Sequence, residues 1–237
     1  MKPSDLNVKL FADGADRKGI LDLYANPLIQ GFTTNPTLMR KAGVEDYEWF
    51  ARDILQAVPD RPFSLEVFAD DPKEMERQAL KISSWGQNVY VKIPVTNTKR
   101  ESTGDLLRRL SGSGVKVNVT ALMTARQVEQ VAENIRDAPA AYVSVFAGRV
   151  ADSGRDPIPI MRESLDVLRD FAQVELIWAS PRELLNIVQA HEIGCDIITV
   201  THDVLKKLPT LGKDLDDFSL DTVQMFHEDA SSAGYTL

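Results

Sequence analysis

The chain predicts an α/β fold in which parallel strands close into a single (β/α)8 barrel, on three observations. Short apolar runs near 8–13, 29–33, 63–68, 89–95, 115–121, 141–147, 174–179 and 197–201 have the length and side-chain content of buried strands. Amphipathic segments separate them in 237 residues without a linker, a sequence repeat or a low-complexity stretch, which fits a chain of β-α units. The turn after the first run, Asp13-Gly14-Ala15-Asp16, lacks the G-x-G-x-x-G expected of an open doubly wound sheet, the runner-up architecture.

In order, the first run, Val8-Lys9-Leu10-Phe11-Ala12-Asp13, ends in a carboxylate. The second leads into Gly31-Phe32-Thr33-Thr34-Asn35-Pro36-Thr37, which puts hydroxyls and an amide at a strand end. In the third, Phe63-Ser64-Leu65-Glu66-Val67-Phe68, Glu66 is the single charge, and a helical pattern follows from Pro72 to Leu80. The fourth, Val89 to Thr96, carries Lys92 among apolar neighbours. Gly112-Ser113-Gly114 stops a helix before the fifth run, Val115 to Ala121, whose alternation puts Asn118 and Thr120 on one face. Thr124 is suited to cap the next helix. The sixth, Tyr142-Val143-Ser144-Val145-Phe146, places Ser144 and Phe146 together before turning through Ala147-Gly148-Arg149. After the seventh and eighth runs, the tail beyond Pro209 carries Leu215, Phe218, Leu220, Val223 and Phe226 on an amphipathic helix, expected to cover its own barrel or that of a neighbouring copy.

Composition narrows the function classes. A net charge of -8 argues against nucleic acid or an anionic membrane as partner, though a local basic pocket for a small anion remains compatible with it. No apolar run reaches the roughly 18 residues of a membrane span, and Met1-Lys2-Pro3-Ser4 leads directly into a strand, so a cytoplasmic protein is expected. The single Cys195 excludes an intrachain disulfide and reads as a buried small hydrophobe, while His191, His202 and His227 have no metal-ligand spacing.

In a barrel, chemistry gathers at the C-terminal ends of the strands, so polar residues inside apolar strands are the candidates. Each has an ordinary structural alternative. Asp13 suits a helix cap, Asn35 an Asx turn before Pro36, Ser144 and Thr120 local backbone bonds, and Lys92 an edge strand with its stem reaching water. An enclosed charge, however, costs several kcal/mol unless paired, and a lysine relieved of its proton is a nucleophile. Asp13, Asn35, Glu66, Asn118, Thr120 and Ser144 would all converge on Lys92 at one end of a barrel. That set suits Schiff-base chemistry: an amine to condense with a ketone, carboxylates to move protons, and hydroxyls and amides to hold a polyol.

With these residues the chain resembles the transaldolase family, and within it the short members that group with fructose-6-phosphate aldolases. The resemblance extends from Leu10-Phe11-Ala12-Asp13 to the last strand. Its specific motifs are Gly31-Phe32-Thr33-Thr34-Asn35-Pro36 and Val91-Lys92-Ile93-Pro94, joined by Asn118-Val119-Thr120 and Ser144-Val145-Phe146-Ala147-Gly148-Arg149. It implies a barrel of the class I aldolase type over 1–237 with an extra helical tail over 210–237. It also implies a homo-oligomer, a cytoplasmic role in the pentose phosphate pathway, sugar or sugar phosphate substrates, and a mechanism with neither metal nor cofactor. Lys92 would form an imine with the ketose C2 carbonyl, and Asp13 would accept the C4 hydroxyl proton during carbon-carbon cleavage. Asn35 and Asn118 would bind substrate hydroxyls, Glu66 and Thr120 would hold the proton-relaying water, and Ser144 and Arg149 would belong to a phosphate site.

Two positions refine the resemblance. Glu66 and Phe146 follow the transaldolase pattern, where members resembling fructose-6-phosphate aldolase carry Gln and Tyr, so transfer of a dihydroxyacetone unit is favoured over its release. In the seventh strand, Leu176-Ile177-Trp178-Ala179-Ser180-Pro181-Arg182 places Ala179 where the family usually has a phosphate-gripping Arg or Lys. Other readings are a plain aldolase, a homologue with an altered sugar substrate, and a retired barrel serving as a scaffold.

Overall fold

A computed structural model describes residues 1–236; Leu237, the last residue of the expected tail, lies outside the described residues. The chain runs β1 (Lys9–Asp13), α1 (Arg17–Tyr24), β2 (Ile29–Thr33), α2 (Pro36–Lys41), α3 (Tyr47–Ala57), β3 (Phe63–Glu66), α4 (Pro72–Ser83), β4 (Val89–Pro94) and α5 (Gly104–Gly112). It continues through β5 (Val117–Leu122), α6 (Ala125–Asn134), β6 (Ala141–Val145), α7 (Ala147–Asp152), α8 (Ile158–Leu168), β7 (Val174–Trp178), α9 (Leu185–Glu192), β8 (Ile197–Thr201), α10 (His202–Leu205) and α11 (Leu215–Ser232). The strands pair in parallel in sequence order, and β8 returns to β1, so the fold is a closed eight-stranded α/β barrel. The sixth strand stops at Val145 rather than reaching 147, because Phe146 turns out of the strand to cap α7. The helical tail is Leu215–Ser232, shorter than the expected 210–237.

Alternation sorts the side chains into two cores. Outward-facing residues such as Leu65, Val91, Val143 and Trp178 join the large cluster shared with the helices, where Phe32 and Phe63 stack at 5.7 Å. Inside the barrel, Phe11, Tyr90, Tyr142, Ile177 and Ile197 form a second cluster. The Tyr90 and Tyr142 rings stack at 4.0 Å, with Phe11 edge-on to Tyr142 at 5.7 Å. Gly31 is required beneath Phe11, since a Cβ there would stand 2.5 Å from the Phe11 ring. This aromatic layer plugs the lumen and leaves the C-terminal end for the polar residues above it.

Acidic and hydroxyl caps set where the helices begin. Asp16 accepts from the Gly19 amide to start α1, and Asp71 accepts from Lys73 and Glu74 to start α4. Thr124 and Gln127 close a reciprocal capping box on α6. Asp13 is therefore not a helix cap and remains available in the lumen. Asn35 is one: its side chain accepts from the Leu38 amide at 3.0 Å, with Pro36 in the first turn of α2.

Candidate active site

Strand register brings the charges within the strands together. Glu66 on β3 lies beside Lys92 on β4, and Lys92 lies beside Asn118 on β5. Lys92 is 5% exposed; its Nζ donates to the Thr34 carbonyl at 2.9 Å and stands 3.3 Å from Glu66 Oε2. The buried ammonium is thus paired, which answers the desolvation cost that made it conspicuous. The charge has a partner positioned to take its proton.

On the β5 side, Asn118 has no exposed surface and bridges two serines. Its Nδ2 donates to Ser64 Oγ at 3.0 Å, and its Oδ1 accepts from Ser144 Oγ at 2.7 Å. Thr120, on the same face, has a buried hydroxyl without a protein partner. On the opposite wall, Asp13 accepts from Thr33 Oγ1 at 2.7 Å, and the Thr33 hydroxyl is also bonded to that of Thr199. Burial raises the Asp13 carboxyl above the ordinary aspartate range, opposed by the Lys92 charge and the Thr33 hydrogen bond. The result is a stronger base than a surface aspartate.

Asp13, Asn35, Lys92, Ser144, Phe146 and Arg149 line one cavity of about 130 Å³ at the C-terminal end of the barrel. Glu66, Asn118 and Thr120 stand off its lining. At the mouth, the Arg149 guanidinium lies over the Phe146 ring at 4.9 Å. Arg182, also on the lining, is committed to Asp152, whose carboxyl the guanidinium holds below its usual range. Ala179 faces the cavity at 4% exposure, while Trp178 packs outward against the helices. Among the described residues, no group of three or more His, Cys, Asp or Glu side chains is arranged to hold a metal ion.

Several participants escape a reading of charges alone. Thr199 and Thr201 line the cavity, and their alternation with Ile198 and Val200 in β8 is the signal that marks them. Ser64 gives no comparable signal, since serine is ordinary in a strand.

The family described as Transaldolase/Fructose-6-phosphate aldolase matches residues 10–237. The chain belongs to that family. Relatives named probable transaldolase from Dehalococcoides mccartyi, Methanococcus maripaludis (strain C7) and Thermoanaerobacter sp. are 34%, 35% and 34% identical to it over 202 residues. Each match covers 85% of this chain and 89–90% of the relative. No helix among the described residues is long and apolar enough to cross a membrane.

Proposed function

We propose that this member of the transaldolase/fructose-6-phosphate aldolase family transfers a dihydroxyacetone unit from a ketose or ketose phosphate to an aldose or aldose phosphate through a Schiff base on Lys92. The observation that carries this reading is the paired, buried Lys92 sharing a cavity with Asp13. Glu66 takes the ammonium proton, Lys92 Nζ adds to the ketose C2, and loss of water gives the imine. Asp13 removes the C4 hydroxyl proton as the C3–C4 bond breaks. The bonding pair is held as an enamine and an aldehyde departs. The enamine then attacks an acceptor aldehyde, Asp13 returns its proton, and hydrolysis frees Lys92. Glu66 and the partnerless Thr120 hydroxyl handle the water and protons of imine formation and hydrolysis. The open amide end of Asn35 and the Asn118–Ser144 pair bind substrate hydroxyls, while Arg149 and Ser144 hold an anionic group at the mouth. The same reading makes the protein a cytoplasmic homo-oligomer of carbohydrate metabolism, in the pentose phosphate pathway.

Incubation with dihydroxyacetone and borohydride, followed by peptide mapping, is expected to place the reduced adduct on Lys92. Lys92→Met, which suits the surrounding core, should abolish turnover without unfolding the barrel. An adduct on Lys99 or Lys116 would refute the assignment.

Cleavage with release of dihydroxyacetone is the second reading, and Glu66 with Phe146 weighs against it. The Glu66 carboxyl beside the amine and an unhydroxylated Phe146 ring alter how water is held near the enamine. Replacing both, Glu66→Gln with Phe146→Tyr, should raise the ratio of dihydroxyacetone released to product transferred. A constant ratio would remove this ground for transfer.

A further inference from the structure

His202 is a half-buried titratable group to which the proposed reaction gives no task. It follows Thr201, a residue of the cavity lining that pairs with Asp13 across β1 and β8. Its imidazole occupies the space left by two glycines just after Asp13. A Cβ on Gly19 would stand 2.2 Å from its Cε1, and one on Gly14 would stand 3.2 Å from its Nε2. Nε2 is buried and has no hydrogen-bond partner. On its other side the ring borders a cleft of about 360 Å³ between α1 and α10, lined by Asp16, Gly19, His202, Leu205 and Leu208 among others. The imidazole is a partition between that cleft and the turn that carries the candidate base.

We propose that His202 is a positioning residue for Asp13, an imidazole wedged behind the Asp13–Gly14 turn whose charge state is coupled to that of the base. The role of Asp13 as base rests on the Schiff-base reading above, whereas the coupling does not. The groups facing His202 are Asp13 from β1, Asp16 from the β1–α1 turn, and Asp203 and Lys206 from its own helix, with the ion-paired Lys18 and Asp22 of α1 on the shared cleft. Asp16 already accepts from the Gly19 amide at 2.7 Å. Burial depresses the imidazole and raises the Asp13 carboxyl, and the charge of each group adds a smaller influence on the ionisation of the other. An imidazolium at this place favours the Asp13 carboxylate, and the carboxylate favours the imidazolium.

The linkage must be reciprocal, which makes it measurable without turnover. In the full-length protein with 13C-labelled aspartate and 15N-labelled histidine, the Asp13 resonance is assigned by its loss in Asp13→Asn. His202→Gln and His202→Asn should each raise the Asp13 pKa by roughly half a pH unit or more, the scale of one neighbouring charge in a partly buried setting. In Asp13→Asn, the His202 titration should fall by a similar amount. Unmoved titrations in either direction would overturn the proposal, and should a His202 variant not fold, the Asp13→Asn arm alone decides it. In turnover of fructose 6-phosphate, the acid limb of kcat/KM for His202→Gln should move upward with the Asp13 pKa, while borohydride still traps dihydroxyacetone on Lys92. Failure of wild type to form the adduct would reject the Schiff-base reading and leave the coupling standing; an adduct with an unmoved acid limb would reject the role of His202.

Discussion

Asp13 holds an unfavourable charge in the folded barrel, and this has a consequence for stability. Its carboxyl binds a proton more tightly folded than unfolded, because burial outweighs the Lys92 charge and the Thr33 hydrogen bond. A group whose pKa is raised by folding stabilises the fold below its unfolded value of 3.8, and that contribution is lost as pH rises through the folded value. Above that window the carboxylate costs stability. Asp13→Asn keeps an oxygen for the Thr33 hydroxyl and sheds the charge, so the variant should melt higher than wild type at pH 7, by about 2–4 °C if the gain is near 1 kcal/mol. The difference should close as pH falls below the ordinary aspartate range. Thermal unfolding across that range checks it, and a less stable variant at pH 7 would contradict the burial argument. Asp13, Glu66 and Lys92 were legible in sequence because charges in apolar strands are costly enough to stand out. The Ser64–Asn118–Ser144 chain was only partly legible, since a serine hydroxyl costs little in a strand and its partner lies on another strand.

At the scale of elements, the ends of β6 and β7 shape the mouth of the site. Gly148, in α7, runs against the β7–α9 loop so closely that a Cβ would stand 1.6 Å from the Ser180 carbonyl oxygen. Ser180 itself adopts a left-handed φ of 61°, which a non-glycine residue holds only at a cost. The loop is thereby fixed with Ala179 turned into the cavity and Arg182 drawn away to Asp152. Trp178, beside Ala179, faces the helices rather than the lumen. Among the described residues, no second uncommitted cation stands beside Arg149 at the mouth. Ala179→Arg should therefore raise kcat/KM for fructose 6-phosphate about tenfold or more, a charge-assisted contact being worth about 1.5–3 kcal/mol. Unphosphorylated fructose should gain nothing. Equal changes for the two sugars would mean that the pocket does not seat a phosphate there. Strand positions were legible because a closed barrel repeats one pattern, whereas the end of β6 was not, since the apolar run continues through Phe146 and Ala147 into α7 without a breaking residue.

At the scale of the whole molecule, α11 carries a row of exposed apolar side chains. None of its residues is buried, and Leu215, Phe218, Leu220, Val223, Met225 and Phe226 are exposed along it. The sequence allowed this helix to cover its own barrel or that of a neighbour, and the exposure of these side chains removes the first alternative. These six large apolar side chains, each worth about 1.5–3 kcal/mol when fully buried, represent on the order of 10 kcal/mol before the costs of association. A helix with that much apolar surface, well capped by Asp214, is expected to be covered on association, and a second copy of the chain is the partner that the proposed homo-oligomeric reading supplies. Full-length protein should sediment as an oligomer at micromolar concentration. Removal of residues 214–237 should yield a smaller species whose far-ultraviolet circular dichroism retains the barrel. Phe218→Asp with Phe226→Asp should do the same without shortening the chain. A full-length monomer, or an oligomer indifferent to both changes, would refute self-association through α11.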